Sequence, residues 1–127
     1  MTWLPIAALA AYCGLYVGVV AWAVAGLRLR LGAGPALAVA PALWVVGEWL
    51  RGWLMGGFPW GLLGYSQHAQ LPVIQIAELG GVYAVSFLIV AVNAALAALF
   101  ALGPRRAWPG AAMAGLLLAA GLGFGVH

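Results

Sequence analysis

Apolar residues fill four long runs, and the polar positions between them mark where each run stops. Residues 4 to 27, LPIAALAAYCGLYVGVVAWAVAGL, carry no charge and end at Arg28 and Arg30. A Gly32-Ala33-Gly34-Pro35 turn follows. Residues 36 to 55, ALAVAPALWVVGEWLRGWLM, form a second run with Pro41 as a kink point or an early turn. Residues 81 to 102, GVYAVSFLIVAVNAALAALFAL, form a third, stopped by Gly103-Pro104-Arg105-Arg106. Residues 107 to 126, AWPGAAMAGLLLAAGLGFGV, form a fourth, rich in the Gly and Ala that suit close helix contact. A hydrocarbon core of about 30 Å needs roughly 20 residues at ~1.5 Å each. The pattern therefore predicts an all-α integral membrane fold with four transmembrane helices in one partial transmembrane domain, residues 1–127.

The stretch between the second and third runs breaks this pattern. Residues 56 to 80 read GGFPWGLLGYSQHAQLPVIQIAELG, too apolar for a free aqueous loop and too rich in Gly and Pro for a straight span. Such backbone suits a re-entrant or interfacial segment. Phe58-Pro59-Trp60 would set two rings at headgroup depth. Pro72 can open a short helix over 72–79, which Gly80-Gly81 would close.

Composition removes the soluble classes. Of 127 residues, 67% are hydrophobic and only 6% charged, whereas a soluble domain carries roughly a quarter charged residues. Lipid is the main solvent. The net charge of +3 comes from five Arg scattered among greasy runs, which make no basic face for nucleic acid. Cys13 stands alone, so no intrachain disulfide or Cys-based metal site is available, and it reads as a small packing residue. The first run lacks the basic leader of a signal peptide and is too long for one.

The Arg positions set an orientation. Arg28/Arg30 and Arg105/Arg106 lie in connections two spans apart, hence on one side, and segment 56–80 holds no Lys or Arg. The positive-inside rule puts both Arg pairs in the cytoplasm and segment 56–80 outside. Both chain ends then face outward. An outward start without a leader suggests an odd number of upstream spans, so the chain reads as a fragment.

Several blocks in order carry a family resemblance. Glu48-Trp49-Leu50-Arg51-Gly52-Trp53, Gly57-Phe58-Pro59-Trp60 and Leu63-Gly64-Tyr65-Ser66-Gln67 come first. Ile76-Ala77-Glu78-Leu79-Gly80-Gly81-Val82-Tyr83, Ser86-Phe87-Leu88 and Asn93 follow. Over roughly residues 6 to 100 the chain resembles the membrane domain of bacterial apolipoprotein N-acyltransferases, in the region of their spans four to seven. The resemblance implies a multi-pass protein of the bacterial inner membrane. It implies acyl transfer from a phospholipid, through a thioester, to the α-amine of a lipoprotein's diacylglyceryl-cysteine, with no cofactor. The family does this with a Glu-Lys-Cys triad on a nitrilase-like domain. No catalytic residue is expected here, since the chain has no Lys and Cys13 sits in an apolar run.

Each candidate also has a structural reading. Gly57, Phe58, Pro59, Trp60 and Tyr65 are candidates for a lipid entrance, or simply interfacial anchors. Glu48 and Arg51 are expected to form an ion pair, because a charge in lipid must find a partner. Ser66 and Gln67 suit a headgroup contact or a turn cap, and His68 a polar loop position. Asn93 is expected to bond a neighbouring helix. The alternative class is a small non-enzymatic membrane protein, such as a transporter or channel subunit or an assembly factor. It lacks support from midplane charges or a polar stripe, since Glu48 and Arg51 lie near one end of their run.

Overall fold

The computed structural model of the chain describes residues 3–124 and is all-helical. Five helices follow in order: α1 Trp3–Leu31, α2 Ala33–Arg51, α3 Leu71–Ile74, α4 Ala77–Leu102 and α5 Pro104–Phe124. Two single 3-10 turns, Leu54–Gly56 and Leu63–Gln67, lie between α2 and α3. Helices α1, α2 and α4 are long and apolar enough to cross a membrane. Helix α5 covers 21 residues, with Arg105 and Arg106 in its first turn and Pro109 inside it. Positions 125 and 126 of the expected fourth run lie outside the described residues.

Backbone chemistry sets the helix ends. The first helix runs past Arg28 and Arg30 because a charge does not terminate a helix. Gly32 does, at φ 88° and ψ 172°, a region essentially closed to side-chain-bearing residues. Gly103 repeats the device between α4 and α5 at φ 78° and ψ 161°. Helix α2 stops at Arg51, short of the expected residue 55. The Gly52 N–H still turns back to Glu48 and Trp49, but the Phe58 N–H reaches the Arg51 carbonyl at 2.9 Å and folds the chain over the helix end. The expected 72–79 helix is split. Pro72 opens α3, and the first turn of α4 precedes a break at Gly80 and Gly81, the latter at φ 64°.

The helices pack as a row, α1 on α2, α2 on α4, and α4 on α5, with α3 against α4 and α5. The turn at Gly34 lies close to Leu102, 3.7 Å from where a Cβ would sit, so both Arg-bearing connections occupy one end of the row. The segment from Gly52 to Ile76 covers the other end. Burial is inverted relative to a water-soluble protein. Trp22 and Phe100 are among the large apolar side chains left exposed, while Glu48, Arg51 and Ser86 are buried. An exposed apolar surface of this extent needs an apolar solvent, which makes this a membrane protein.

Candidate functional site

The end opposite the arginines is built from three polar side chains under a loop. Glu48 and Arg51 project from the last turn of α2, and Ser86 from the buried face of α4. Oε1 of Glu48 accepts the Leu63 N–H at 2.6 Å. Arg51 donates through Nη2 to the carbonyls of Trp60 and Gly61, at 3.2 and 3.3 Å. Ser86 Oγ accepts the Gly64 N–H at 2.9 Å in a fully buried contact. The expected ion pair is therefore corrected. Among the described residues, Glu48 and Arg51 do not bond each other but divide the loop between them. A charged partner makes a hydrogen bond roughly twice as strong as a neutral pair does, and the loop's backbone groups would otherwise lie unpaired near lipid.

Glycine makes the close approach possible. A Cβ on Gly64 would sit 2.6 Å from the Val82 carbonyl oxygen and 2.7 Å from its side chain. Only hydrogen fits where the loop meets α4. Gly57, at φ 76°, turns the chain beside the Gly52 carbonyl.

The entrance candidates separate in this frame. Trp60 is 74% exposed although its own carbonyl is held by Arg51, and Tyr65 is 53% exposed. Pro59 is exposed, whereas Gly57 and Phe58 are half-buried. Ser66 donates to the Leu63 carbonyl at 2.7 Å and receives the Gln67 amide at 3.0 Å, which closes a local turn. His68 is exposed. Trp49 and Trp53 lie side by side, ring centroids 5.9 Å apart, on the outer surface of the same end. Asn93 corrects another expectation: it bonds the Ile89 carbonyl of its own helix at 2.8 Å, and no neighbouring helix. Cys13 is a half-buried free thiol.

Sequence reasoning passed over Ser86 and Tyr12 as site residues. The signal for Ser86 was a lone hydroxyl within an apolar run, which demands a buried partner. Tyr12 donates to the Leu54 carbonyl at 3.2 Å and accepts from Tyr16 at 3.2 Å, tying α1 to the loop. Nothing in the local pattern of α1 marks that contact.

The comparisons agree with this arrangement. Residues 1–95 match the family model described as the apolipoprotein N-acyltransferase N-terminal domain. The chain is similar to the apolipoprotein N-acyltransferase of Chromobacterium violaceum, 44% identical over 92% of this chain and 21% of that protein. It is similar to that of Geobacter metallireducens, 46% identical over 69% of this chain and 16% of the relative. It is similar to that of Bradyrhizobium diazoefficiens, 37% identical over 92% of this chain and 22% of the relative. The chain thus spans about a fifth of the length of these curated relatives. No solved structure matches it. By the extent of the family match, the chain belongs to the apolipoprotein N-acyltransferase family, as part of its N-terminal membrane region.

Proposed function

We propose that this chain is the membrane part of an acyltransferase that moves an acyl chain from a phospholipid to the α-amine of a diacylated lipoprotein. In this reading α1, α2, α4 and α5 all cross a bacterial inner membrane as one partial transmembrane domain. The two Arg pairs face the cytoplasm, following the positive-inside rule. The loop from Gly52 to Ile76 lies interfacially on the outer side. The chain contains no Lys, so it cannot by itself compose a Glu-Lys-Cys triad. The thiolate would come from a nitrilase-like domain, and this chain alone transfers no acyl group.

One observation carries the role of the loop. The backbone at Trp60 is fixed by Arg51 while the indole ring projects outward, 74% exposed. An apolar ring on a fixed backbone at headgroup depth can orient a lipid ester against a thiolate held outside the bilayer. Orientation is worth several kcal/mol of a barrier, and a small misplacement can cost up to ~100-fold in rate. Gly57 and Pro59 set the ring's direction, and Phe58 and Tyr65 flank it.

The test uses a full-length enzyme carrying this segment. Trp60→Ala should slow acyl-enzyme formation by roughly tenfold and leave the melting midpoint unchanged. Normal acylation would reduce Trp60 to an interfacial anchor. Cysteine labelling should place positions beside Arg30 and Arg105 in the cytoplasm and Tyr65 outside; a cytoplasmic Tyr65 would reverse the orientation.

A further inference from the structure

Beneath the loop, between α1 and α2, lies a cavity of about 140 Å³ that the lipid-entrance reading leaves unused. Trp44, Glu48 and Arg51 form its polar wall, and Val17 and Val20 of α1 face them. Three buried atoms of that wall have no hydrogen-bond partner: Trp44 Nε1, Glu48 Oε2 and Arg51 Nε. Glu48 and Arg51 are only 6% and 8% exposed, so bulk solvent does not serve them. Leaving a buried charged group half-satisfied costs more than leaving a neutral one.

The chemistry of the three atoms selects the ligand. Two are donors, Trp44 Nε1–H and Arg51 Nε–H, and one is a carboxylate acceptor. An anion would accept from both donors but would face Glu48 with nothing to donate. A cation would satisfy Glu48 and be opposed by Arg51. The ligand must be net-neutral, small, and both donor and acceptor. We propose that this cavity is an internal hydration site holding a small cluster of water. One or more waters accept from Trp44 and Arg51 and donate to Glu48. The volume suffices for several molecules at ~30 Å³ each, and the wall supplies the two to four polar partners that an ordered water requires. The cluster solvates the second face of both charged side chains while their first faces hold the loop. This inference stands on the cavity and its unpaired atoms and is independent of the acyltransferase reading.

The test uses the full 127-residue chain, ¹⁵N-labelled, in phosphatidylcholine nanodiscs with deuterated acyl chains. The indole N–H of Trp44 is assigned by its loss in Trp44→Phe. Dipolar transfer from water to that N–H is then measured. A water cross-peak at Trp44 Nε1–H is expected. Cross-peaks from choline or glycerol protons instead would show a lipid headgroup in the cavity and overturn the proposal. Transfer from neither would show a dry cavity and overturn it equally. Val17→Phe, which fills the cavity from the α1 side, should reduce the water transfer at Trp44 at least fivefold while the Leu63 N–H keeps its chemical shift. Unchanged transfer in a folded Val17→Phe protein would place the water elsewhere and also overturn the proposal. The wild-type measurement decides the matter even if that variant fails to fold.

Discussion

At the arginine end a single glycine joins α1 to α2 and another joins α4 to α5. At the opposite end a long, twice-turned segment joins α2 to α4, and three helix side chains hold it down by its backbone. The first kind of closure depends on what the backbone can do without a Cβ. The second depends on polar groups buried where water is scarce. The two ends should therefore fail under different substitutions, and the cost should rank with the polarity and burial of what is lost.

Glu48→Ala should have the largest effect. It strips the Leu63 N–H of its acceptor and leaves Arg51 as an uncompensated buried charge. Removing one member of a buried charged set costs about 3–5 kcal/mol. Reversible unfolding in mixed micelles measures this, and protease access between Gly57 and Gln67 should rise in parallel. A loss below ~1 kcal/mol, the range of exposed pairs, would mean that the loop is held by something other than these anchors.

Gly64→Ala comes next and tests the same end sterically. The new methyl would meet the Val82 carbonyl and side chain, and would press on Ser86 Oγ at 3.2 Å. Overpacking of this kind costs about 1–3 kcal/mol, and the Gly64–Ser86 hydrogen bond adds to the loss. Gly103→Ala probes the other end. No atom lies within 4 Å of its Cβ position, so its cost is purely conformational. A side chain at φ 78° and ψ 161° should cost about 1–2 kcal/mol. The same melting experiment separates the two, because only Gly64→Ala should release the loop to protease. If Gly103→Ala releases it as well, the ends are coupled through α4 and the contrast between them weakens.

Much of the fold was legible because lipid imposes a simple rule. Runs 4–27, 36–55 and 81–102 carry the three long apolar helices, since each can satisfy its own backbone in hydrocarbon. Their ends were less legible. Arg28 and Arg30 suggested a stop, yet the helix persists to Gly32, whose backbone and not its charge pattern decides. The site was half legible. Aromatic rings beside Pro59 pointed to the outer end, and Glu48 and Arg51 stood out as charges that must be satisfied. Their partners did not. Three positions apart on one helix, they suggested each other, whereas the backbone of Trp60, Gly61 and Leu63 satisfies them through tertiary folding. Local spacing carries no information about which carbonyl of a distant loop will arrive within reach.

The smallest effect belongs to Tyr12→Phe, and it sharpens the contrast from below. The Tyr12 hydroxyl also holds the loop, through the Leu54 carbonyl at 3.2 Å. By geometry alone it resembles the Arg51 contacts, which are 3.2 and 3.3 Å long. The difference is the surroundings. The Tyr12 contact is exposed, at the end of the molecule that the aromatic residues mark as interfacial. When the hydroxyl is removed, water or a headgroup can bond the Leu54 carbonyl in its place, so little net stability is lost. The Arg51 and Glu48 groups are buried, and no such replacement reaches the loop backbone above them. Tyr12→Phe should therefore melt with wild-type protein within error and leave the loop protected from protease. A loss as large as that of Gly64→Ala would show that the loop is held from α1 at its edge, and the buried polar set would then be a consequence of docking and not its cause.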